Sequence, residues 1–388
     1  MGAVAVLLVA APASSAETFC VGAHFGCHGD EFKTLQEALN AANAGGDPHD
    51  TVRISEGIFD VDNTLDQIGN EVTIAGSGTG RTKLVANGGT YGLQLSEADS
   101  DVKKLRIHIE QTGATYRGLK LQGDASRLLV TAVDDADGAG VQMEGGPGET
   151  VKLTKSTIKM PVGTQAIGVD GGGGPDRLIR GCRVKGNQAI RINATGTLTE
   201  IEHTIATGRA GVSQSSGGVE IDDSLIRVKP APAGFTEAGL IAYGFDGTSA
   251  ISANHVTVIG TGVTAPVGTG STGVLTDASG SARTAMLRNS IVFGNETDVH
   301  NSGGSLTLDY TRWKTVIGSV SDMHGTDANP RFTDTYRLRP SSPLIDRGQP
   351  FGLLPGEPPL DLAGNDRITD GDGHHGARRD MGAYELQP

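Results

Sequence analysis

The middle of the chain contains a series of short, similar segments that each begin with Gly or Ala and mostly alternate apolar with polar residues. They are GLQLSE from Gly92, GLKLQG from Gly118, GVQMEG from Gly140, AIGVDG from Ala166, AIRINA from Ala189, GVSQSS from Gly211, GLIAYG from Gly239 and GVLTDA from Gly273. The closest start about 22 residues apart, and a second strand-like segment follows most of them. One such unit cannot bury an apolar side alone, so units must stack on one another. The repeat therefore predicts a β-solenoid with a core of stacked Val, Ile and Leu.

Other repeat and fibre folds fit less well. No L-x-x-L-x-L pattern recurs, as a leucine-rich repeat would require, and a β-sandwich does not explain a repeated unit. The 58 glycines show no Gly-X-Y period, which excludes collagen. We expect many of them to start coils or form turns, where a positive φ is useful. The net charge of −13 argues against a nucleic-acid partner, which would need a clustered basic surface.

The N-terminus has the pattern of an export signal. Residues 3–13 are mostly apolar, and small residues follow up to Ala16, so residues 1–16 are predicted to be a signal peptide, with an apolar strand as the alternative. No later segment is long enough to span a bilayer. Export makes a disulfide between Cys20 and Cys27 plausible, and a metal site using Cys20, His24, Cys27 and His28 is the alternative. Cys182 is expected to lie buried as a free thiol.

Two further patterns concern the fold. Residues 32–43 place apolar side chains at helical spacing, which predicts one amphipathic helix with Asp30 as its N-cap. The second strand-like segments share one position that is filled by small or hydrogen-bonding residues, and we expect these residues to stack inside the solenoid at a turn. They are Ser156, Cys182, His203, Ser224, His255 and Ser290. The two histidines are therefore interpreted as structural residues.

The chain resembles secreted right-handed parallel β-helix proteins of the pectin-lyase-like superfamily. The opening FKTLQEALNAANAGGDPHDTVRISEGIFDV and the coil VTIAGSGTGRTKLVA are similar to the capping helix and first coils of that family. The C-terminal series SPLIDRG, LDLAGNDR and DMGAYE resembles the choice-of-anchor Q domain of bacterial surface and secreted proteins. The resemblance implies an all-β, right-handed, single-stranded parallel β-helix over residues 17–330 with an N-terminal capping helix. It also implies a choice-of-anchor-Q-like capping region over residues 331–388.

Alternation along the first strand of each unit predicts two outward columns of side chains. The first contains Gln94, Lys120, Gln142, Gly168, Arg191, Ser213, Ile241 and Leu275, and the second contains Ser96, Gln122, Glu144, Asp170, Asn193, Ser215, Tyr243 and Asp277. Glu144 and Asp170 are thus expected on neighbouring coils about 5 Å apart. Lys120 and Arg191 would flank them, and Gln142, Asn193, Tyr243 and Asp277 would extend the face as substrate-binding residues.

Two chemistries are compatible with these residues. In polysaccharide lyases of the resembled fold, a basic residue removes a proton beside a uronate, so Arg191 or Lys120 could be the base while Glu144 and Asp170 hold calcium. In a retaining glycosidase, two carboxylates about 5 Å apart act as nucleophile and acid. Passive polysaccharide binding and a simple solvated face are the alternatives. The shortage of exposed aromatic rings weighs against a dedicated sugar-cleaving enzyme.

The C-terminal region is expected to cover the open end of the solenoid with apolar side chains and paired charges. Asp370 and Asp372 could hold calcium, but a solvated loop is the favoured interpretation because the full EF-hand spacing is absent. The sequence therefore predicts a monomeric, secreted or cell-envelope β-helix, a scaffold or polysaccharide-recognising surface. The alternative is a lyase or hydrolase acting on an acidic polysaccharide such as pectate.

Overall fold

The computed structural model describes most of the chain. The described residues are 16–22, 27–45, 49–61, 65–67, 70–112, 115–145, 150–162, 165–174, 176–230, 237–243, 248–260, 271–277, 283–350, 352–374 and 376–388. All but the last residue of the predicted signal peptide lies outside them, and so does His24 of the alternative zinc site.

Each complete coil of the chain contributes one strand to each of three parallel sheets. In one coil the strands are Tyr91–Leu95, Asp101–Lys103 and Arg106–Ile109, and they pair in parallel with the corresponding strands of the next coil. We call these the first, second and third sheets, in chain order within a coil. Because strands of successive coils pair in parallel register along all three sheets, the chain winds into a solenoid. Crossovers between parallel strands are nearly always right-handed. The predicted fold class, a right-handed parallel β-helix, is confirmed.

The strands of each sheet follow chain order, except that Asp30–Phe32 lies outside Thr18–Val21 at the N-terminal edge of the second sheet. The first sheet contains Leu65–Gln67, Tyr91–Leu95, Arg117–Leu121, Ala139–Met143, Ile167–Gly171, the starts of Gln188–Glu202 and Ala210–Asp222, Glu237–Ala242, Ser271–Thr276, Thr297–Asn301 and Val316–Ile317. The second contains Asp30–Phe32, Thr18–Val21, Asp50–Ile54, Val72–Gly76, Asp101–Lys103, Asp124–Ser126, Val151–Thr154, Arg177–Arg180, the ends of Gln188–Glu202 and Ala210–Asp222, Ser249–Asn254, Arg283–Arg288, Ser305–Asp309 and Ser321–Asp322. The third contains Gly57–Val61, Thr82–Ala86, Arg106–Ile109, Leu129–Ala132, Thr157–Lys159, Arg183–Lys185, Ile205–Gly208, Leu225–Val228, Thr257–Ile259 and Ile291–Phe293.

A single helix, α1 (Leu35–Gly45), packs on the first coils within the part of the chain that the structure describes. Its buried face consists of Leu35, Ala38, Leu39 and Ala42. The helix starts later than the sequence predicts because Thr34, not Asp30, caps it: Glu37 N donates to Thr34 Oγ1 at 3.2 Å, and Thr34 N donates to Glu37 Oε2 at 3.1 Å. This reciprocal pair is a capping box. Among the described residues, no helix is long and apolar enough to cross a membrane.

Aliphatic side chains of successive coils stack directly on one another to form the core. Along the first sheet the inward positions are Leu93, Leu119, Val141, Val169, Ile190, Val212, Leu240, Val274 and Val299, and each is at most 1% exposed. Each such side chain buried from water contributes about 1.5–3 kcal/mol. The stacked core that the repeat predicts is therefore present along the described coils.

A column of glycines lies beside this core at the start of the first-sheet strands. Its members are Gly92, Gly118, Gly140, Gly168, Gly211, Gly239 and Gly273, and a Cβ on any of them would lie 2.5–2.9 Å from a backbone oxygen of the following coil. None of them has a positive φ. The expectation that the coil-starting glycines serve a positive φ is therefore wrong. They are required because neighbouring coils approach too closely for a side chain.

The turn between the second and third sheets does have left-handed residues, and most are not glycine. They are Lys104, Arg127, Lys155, Gly181, His203, Asp223, His255, Asn289 and Tyr310. Two members of the predicted internal stack, His203 and His255, thus lie one position too early, and Thr204 and Val256 take the inward slot. The hydroxyls in that slot do link coils: Cys182 N donates to Thr204 Oγ1 at 3.3 Å, and Thr204 N donates to Ser224 Oγ at 3.1 Å.

The C-terminal segment contacts these turns along the side of the solenoid. The buried Arg367 forms an ion pair with Asp223, and His255 Nε2 lies 2.7 Å from Glu357 Oε1. A separate apolar cluster, formed by Ile291, Leu338, Leu344, Ile345 and Met381, lies at the same junction. The contacts of His255 with Glu357 and of Asp223 with Arg367 join residues more than 100 positions apart in sequence. The C-terminal segment therefore links several coils from the side of the solenoid.

Candidate functional site

The outer column of the first sheet carries hydrogen-bonding side chains on consecutive coils. Strand register aligns Gln94, Lys120, Gln142, Asp170, Arg191 and Ser213. Neighbouring coils in a parallel sheet are about 4.8 Å apart, so the column presents a polar group at regular intervals. Ser213 is buried, and the next two members are the apolar Ile241 and Leu275, so the polar stretch runs from Gln94 to Arg191, with Asp170 buried within it.

The predicted pairing of columns is wrong at one coil. Asp170 aligns with Gln142 and Arg191, and Gly172 lies beside Glu144. The register shows that Gly168, not Ala166, is the equivalent of Gly140. The unit therefore starts at Gly168, two residues later than the sequence predicts. Asp170 still faces outward, but it belongs to the column of Gln142 and Arg191 and not to that of Glu144.

Asp170 and Arg191 form a two-point ion pair between adjacent coils. Arg191 Nε donates to Asp170 Oδ1 at 2.9 Å, and Nη2 donates to Oδ2 at 2.8 Å. The Asp170 side chain is 8% exposed, whereas that of Arg191 is 40% exposed. Paired charge-assisted hydrogen bonds of this kind fix the geometry of both groups.

Lys120, Gln142 and Glu144 form a second group next to this pair. Lys120 Nζ lies 3.5 Å from Glu144 Oε2, and Gln142 Nε2 donates to Glu144 Oε1. Lys120 Nζ also lies 5.2 Å from the centroid of the Tyr91 ring, a cation–π contact. The four predicted catalytic residues are thus divided between two adjacent ion pairs, and each cation faces a carboxylate.

The remaining predicted binding residues lie further along or beside the column. Asn193 is exposed and lies at a register irregularity two residues after Arg191. Tyr243 and Asp277 follow the first-sheet strands of two later neighbouring coils. Burial of the Tyr243 phenol and the Asp277 charge raise the pKa of Tyr243. The structure does not bring this pair together with Lys120 or Glu144 through any hydrogen bond or ion pair among the described residues.

Two arginines that the sequence did not single out support the site. Arg117 Nη2 lies 3.9 Å from Asp170 Oδ2, so a second cation approaches the same carboxylate. Arg177 is buried, and its guanidinium donates to the carbonyl oxygens of Met143, Gly172 and Gly173. Burial lowers the pKa of Arg177, and the neighbouring Asp176, Asp170 and Glu144 oppose that shift. The sequence signal that could have found Arg117 is its position directly before the coil-starting Gly118.

Grooves also occur on the outer face of the second sheet. One of about 600 Å³ is lined by polar side chains that include Asp101, Asp124 and Lys152. Lys152 Nζ lies 3.2 Å from Asp124 Oδ2 at its edge. A polymer could therefore lie on the outer face of the first sheet or on that of the second sheet, and variants of each face are needed to distinguish the two.

Two further predicted features lie outside this face. Cys20 and Cys27 form a disulfide with a Cα–Cα distance of 6.2 Å, and Cys182 is a buried free thiol whose pKa burial raises to about 12. Among the described residues, Asp346, Asp370 and Asp372 form a group of three carboxylates with metal-ligand spacing. Calcium binding by Glu144 with Asp170 stays a prediction.

The arrangement on the first sheet favours binding over proton transfer. A guanidinium has no lone pair that could accept a proton, so Arg191 would have to lose a proton, and with it the ion pair to Asp170, before it could act as a base. The same side chains still present N–H donors and carboxylate acceptors at their exposed edges. A hydroxyl-rich polymer could exchange hydrogen bonds with them.

Comparisons with known proteins report the fold. No protein-family model and no curated protein matches the chain. Among solved structures, pectate lyase Pel9A aligns with a TM-score of 0.59 at 14% identity, over 96% of this chain and 97% of that one. The Agl-KA catalytic domain aligns with a TM-score of 0.45 at 13% identity, over 74% and 63%, and the Dettilon tailspike protein with 0.46 at 11%, over 75% and 64%. We draw no argument from the last two. At this identity the likeness to Pel9A is one of fold alone: the chain has the parallel β-helix fold.

Proposed function

We propose that this protein is an exported β-helix that recognises an extended polysaccharide on the outer face of its first sheet, without cleaving it. The observation that supports this most is the aligned run of Lys120, Gln142, Asp170 and Arg191 on four consecutive coils. Groups repeated at the coil spacing match a ligand that is itself a linear repeat, one sugar to every coil or two. The neighbouring Tyr91 offers a ring beside the polar column.

The proposal favours recognition because the charges are already balanced within the protein. Arg191 is held by Asp170, and Lys120 by Glu144, so both cations are positioned before any ligand arrives. Side chains fixed in advance lose less conformational entropy on binding. A lyase base would need one of these cations to give up a proton first, and that would leave its carboxylate without an ion-pair partner.

Export and envelope location are part of the same proposal. The disulfide between Cys20 and Cys27 supports it, because such bonds persist in oxidising compartments and are rare in the cytosol. We also infer that residues 331–388 are a choice-of-anchor-Q-like region. Its motif residues Asp346, Asp361, Arg367 and Asp380 are all buried, as expected of residues that hold loops in place.

The test is a panel of acidic and neutral polysaccharides presented to the full-length protein, with and without calcium. Binding is measured by affinity electrophoresis, and cleavage by ultraviolet absorbance of unsaturated products and by release of reducing ends. We expect at least one polymer to bind and none to be cleaved. Unsaturated products or new reducing ends would replace the proposal with a lyase or a hydrolase. If no polymer binds or is cleaved, both polysaccharide roles fail.

A further inference from the structure

Three aspartates in the C-terminal segment converge although their sequence positions are separated. Asp346, Asp370 and Asp372 each offer a carboxylate oxygen, and these oxygens all lie within 4.8 Å of one another. Asp370 and Asp372 begin the loop of a hairpin closed by the Thr369–Arg378 bridge, and Asp346 comes from the SPLIDRG motif. Three formal negative charges are therefore held together by two different loops.

The Asp346 carboxylate provides a second, independent observation at this group. Asp346 is 1% exposed, yet neither Oδ1 nor Oδ2 of its carboxylate accepts a hydrogen bond of ordinary geometry. Burial and the charges of Asp372 and Asp370 raise the pKa of Asp346. The backbone N–H groups of Asp372 and Gly371 face the carboxylate and oppose that shift without cancelling it. Asp370 Oδ1 is likewise buried without a partner. Leaving a buried carboxylate unpaired is costly, so native proteins rarely do it.

Among the described residues, no ion pair joins Asp346 to a basic side chain. Arg378 approaches it, but its Nε donates to the Gly348 carbonyl oxygen and its guanidinium lies 5.5 Å from the Tyr310 ring centroid. The backbone N–H of Asp346 is used elsewhere, since it donates to Asp380 Oδ1 at 2.7 Å.

We propose that Asp346, Asp370 and Asp372 bind one calcium ion, which locks the hairpin loop onto the SPLIDRG loop. All three ligands are hard oxygens, which select hard cations over zinc or copper. Calcium–oxygen bonds of about 2.3–2.6 Å allow ligands around one ion to be up to about 5 Å apart, as these are. Magnesium demands a tighter octahedron and gives up its water reluctantly, so it should bind less well.

The experiment uses the full-length protein after treatment with EDTA and dialysis. Calcium chloride is titrated in by calorimetry, and thermal unfolding is recorded with EDTA, calcium or magnesium. We expect one calcium ion to bind and to raise Tm by about 2–4 °C at saturating concentration, with a smaller effect of magnesium. Asp346→Asn should weaken calcium binding at least about tenfold and remove the rise in Tm. In EDTA, this variant should be no less stable than the wild type, because it removes a buried unpaired charge.

The half-buried Asp372→Asn is the second variant, in case Asp346→Asn does not fold, and the exposed Asp334→Asn in the same segment is the matched control. Asp372→Asn should also lose the calcium effect, and Asp334→Asn should keep it. The proposal is overturned if calcium neither binds nor shifts Tm, or if both site variants respond as the wild type does. An equal response to magnesium would overturn the assignment to calcium.

Discussion

Arg191 and Asp170 join adjacent coils by two hydrogen bonds, Nε to Oδ1 at 2.9 Å and Nη2 to Oδ2 at 2.8 Å, on the face that we propose binds polysaccharide. The two partners differ in exposure: the Asp170 carboxylate is almost fully buried, whereas the Arg191 guanidinium remains accessible. Asp170 therefore acts mainly to hold Arg191 in place, and Arg191 is the group that a ligand can reach. The function and the stability of this coil are thus linked through one contact.

Replacing Arg191 with alanine should destabilise the protein by about 1–3 kcal/mol, because Asp170 would keep a buried charge without a two-point partner, with Arg117 at 3.9 Å and Arg177 nearby. Chemical denaturation measures this. The matched control is Arg180→Ala, which removes a pair with Glu202 whose arginine side chain is 52% exposed, and which should cost less than about 1 kcal/mol. Equal losses in the two variants would contradict the role given to burial.

Gly140→Ala should destabilise the solenoid by about 1–3 kcal/mol, because an added methyl group cannot be accommodated without moving a coil. The new Cβ would lie 2.9 Å from the Gly168 carbonyl oxygen and 2.7 Å from Ile158 Cγ2. Gly80→Ala is the control, since a Cβ there meets nothing within 4 Å. If Gly140→Ala melts with the wild type, close approach is not the reason for the glycine column.

The sequence was sufficient for the solenoid but not for its register. The stacked aliphatics and the Gly-led units could be read directly because each depends on local alternation. The position of Asp170 could not, because Ala166 and Gly168 are both small and two residues apart, and either could start a unit with the same inward and outward sides. Only the pairing of whole strands decides between them. Contacts such as Arg367 with Asp223 join positions too distant for any local pattern to reveal.

The contribution of His255 to the stability of the C-terminal junction should fall as the pH drops below about 6.5. Burial and the charge of Arg367 lower the pKa of His255 to about 3, and its Nδ1 has no hydrogen-bond partner, so the folded protein holds the neutral ring. An unfolded histidine titrates near 6.5, so this contribution is fully present above that pH and is lost between about 6.5 and 3. His255→Gln should reduce the slope of unfolding free energy against pH by up to about one proton over that window.

The exposed His49→Gln is the control for that measurement, and it should leave the slope unchanged. Unfolding is followed by denaturant titration at each pH. An unchanged slope in His255→Gln would show that the buried imidazole does not titrate as described.

The disulfide between Cys20 and Cys27 should stabilise the N-terminal coils. By chain entropy, closing so short a loop contributes about 2–3 kcal/mol, so Cys20→Ser/Cys27→Ser should lower the free energy of unfolding by about that amount. A thiol assay should detect no reactive thiol in the folded protein and one, Cys182, after denaturation without reductant. Three thiols under those conditions would mean that the bond is not formed.

The most direct test of the account is the affinity of face-specific variants for whichever polysaccharide binds best. Lys120→Ala/Gln142→Ala changes the first-sheet column, and Lys152→Ala changes the second-sheet groove at a lysine that also faces a carboxylate. The account predicts that the first variant binds at least about tenfold more weakly and that the second binds as the wild type does. Unchanged binding by the first variant, or a loss confined to Lys152→Ala, would contradict it.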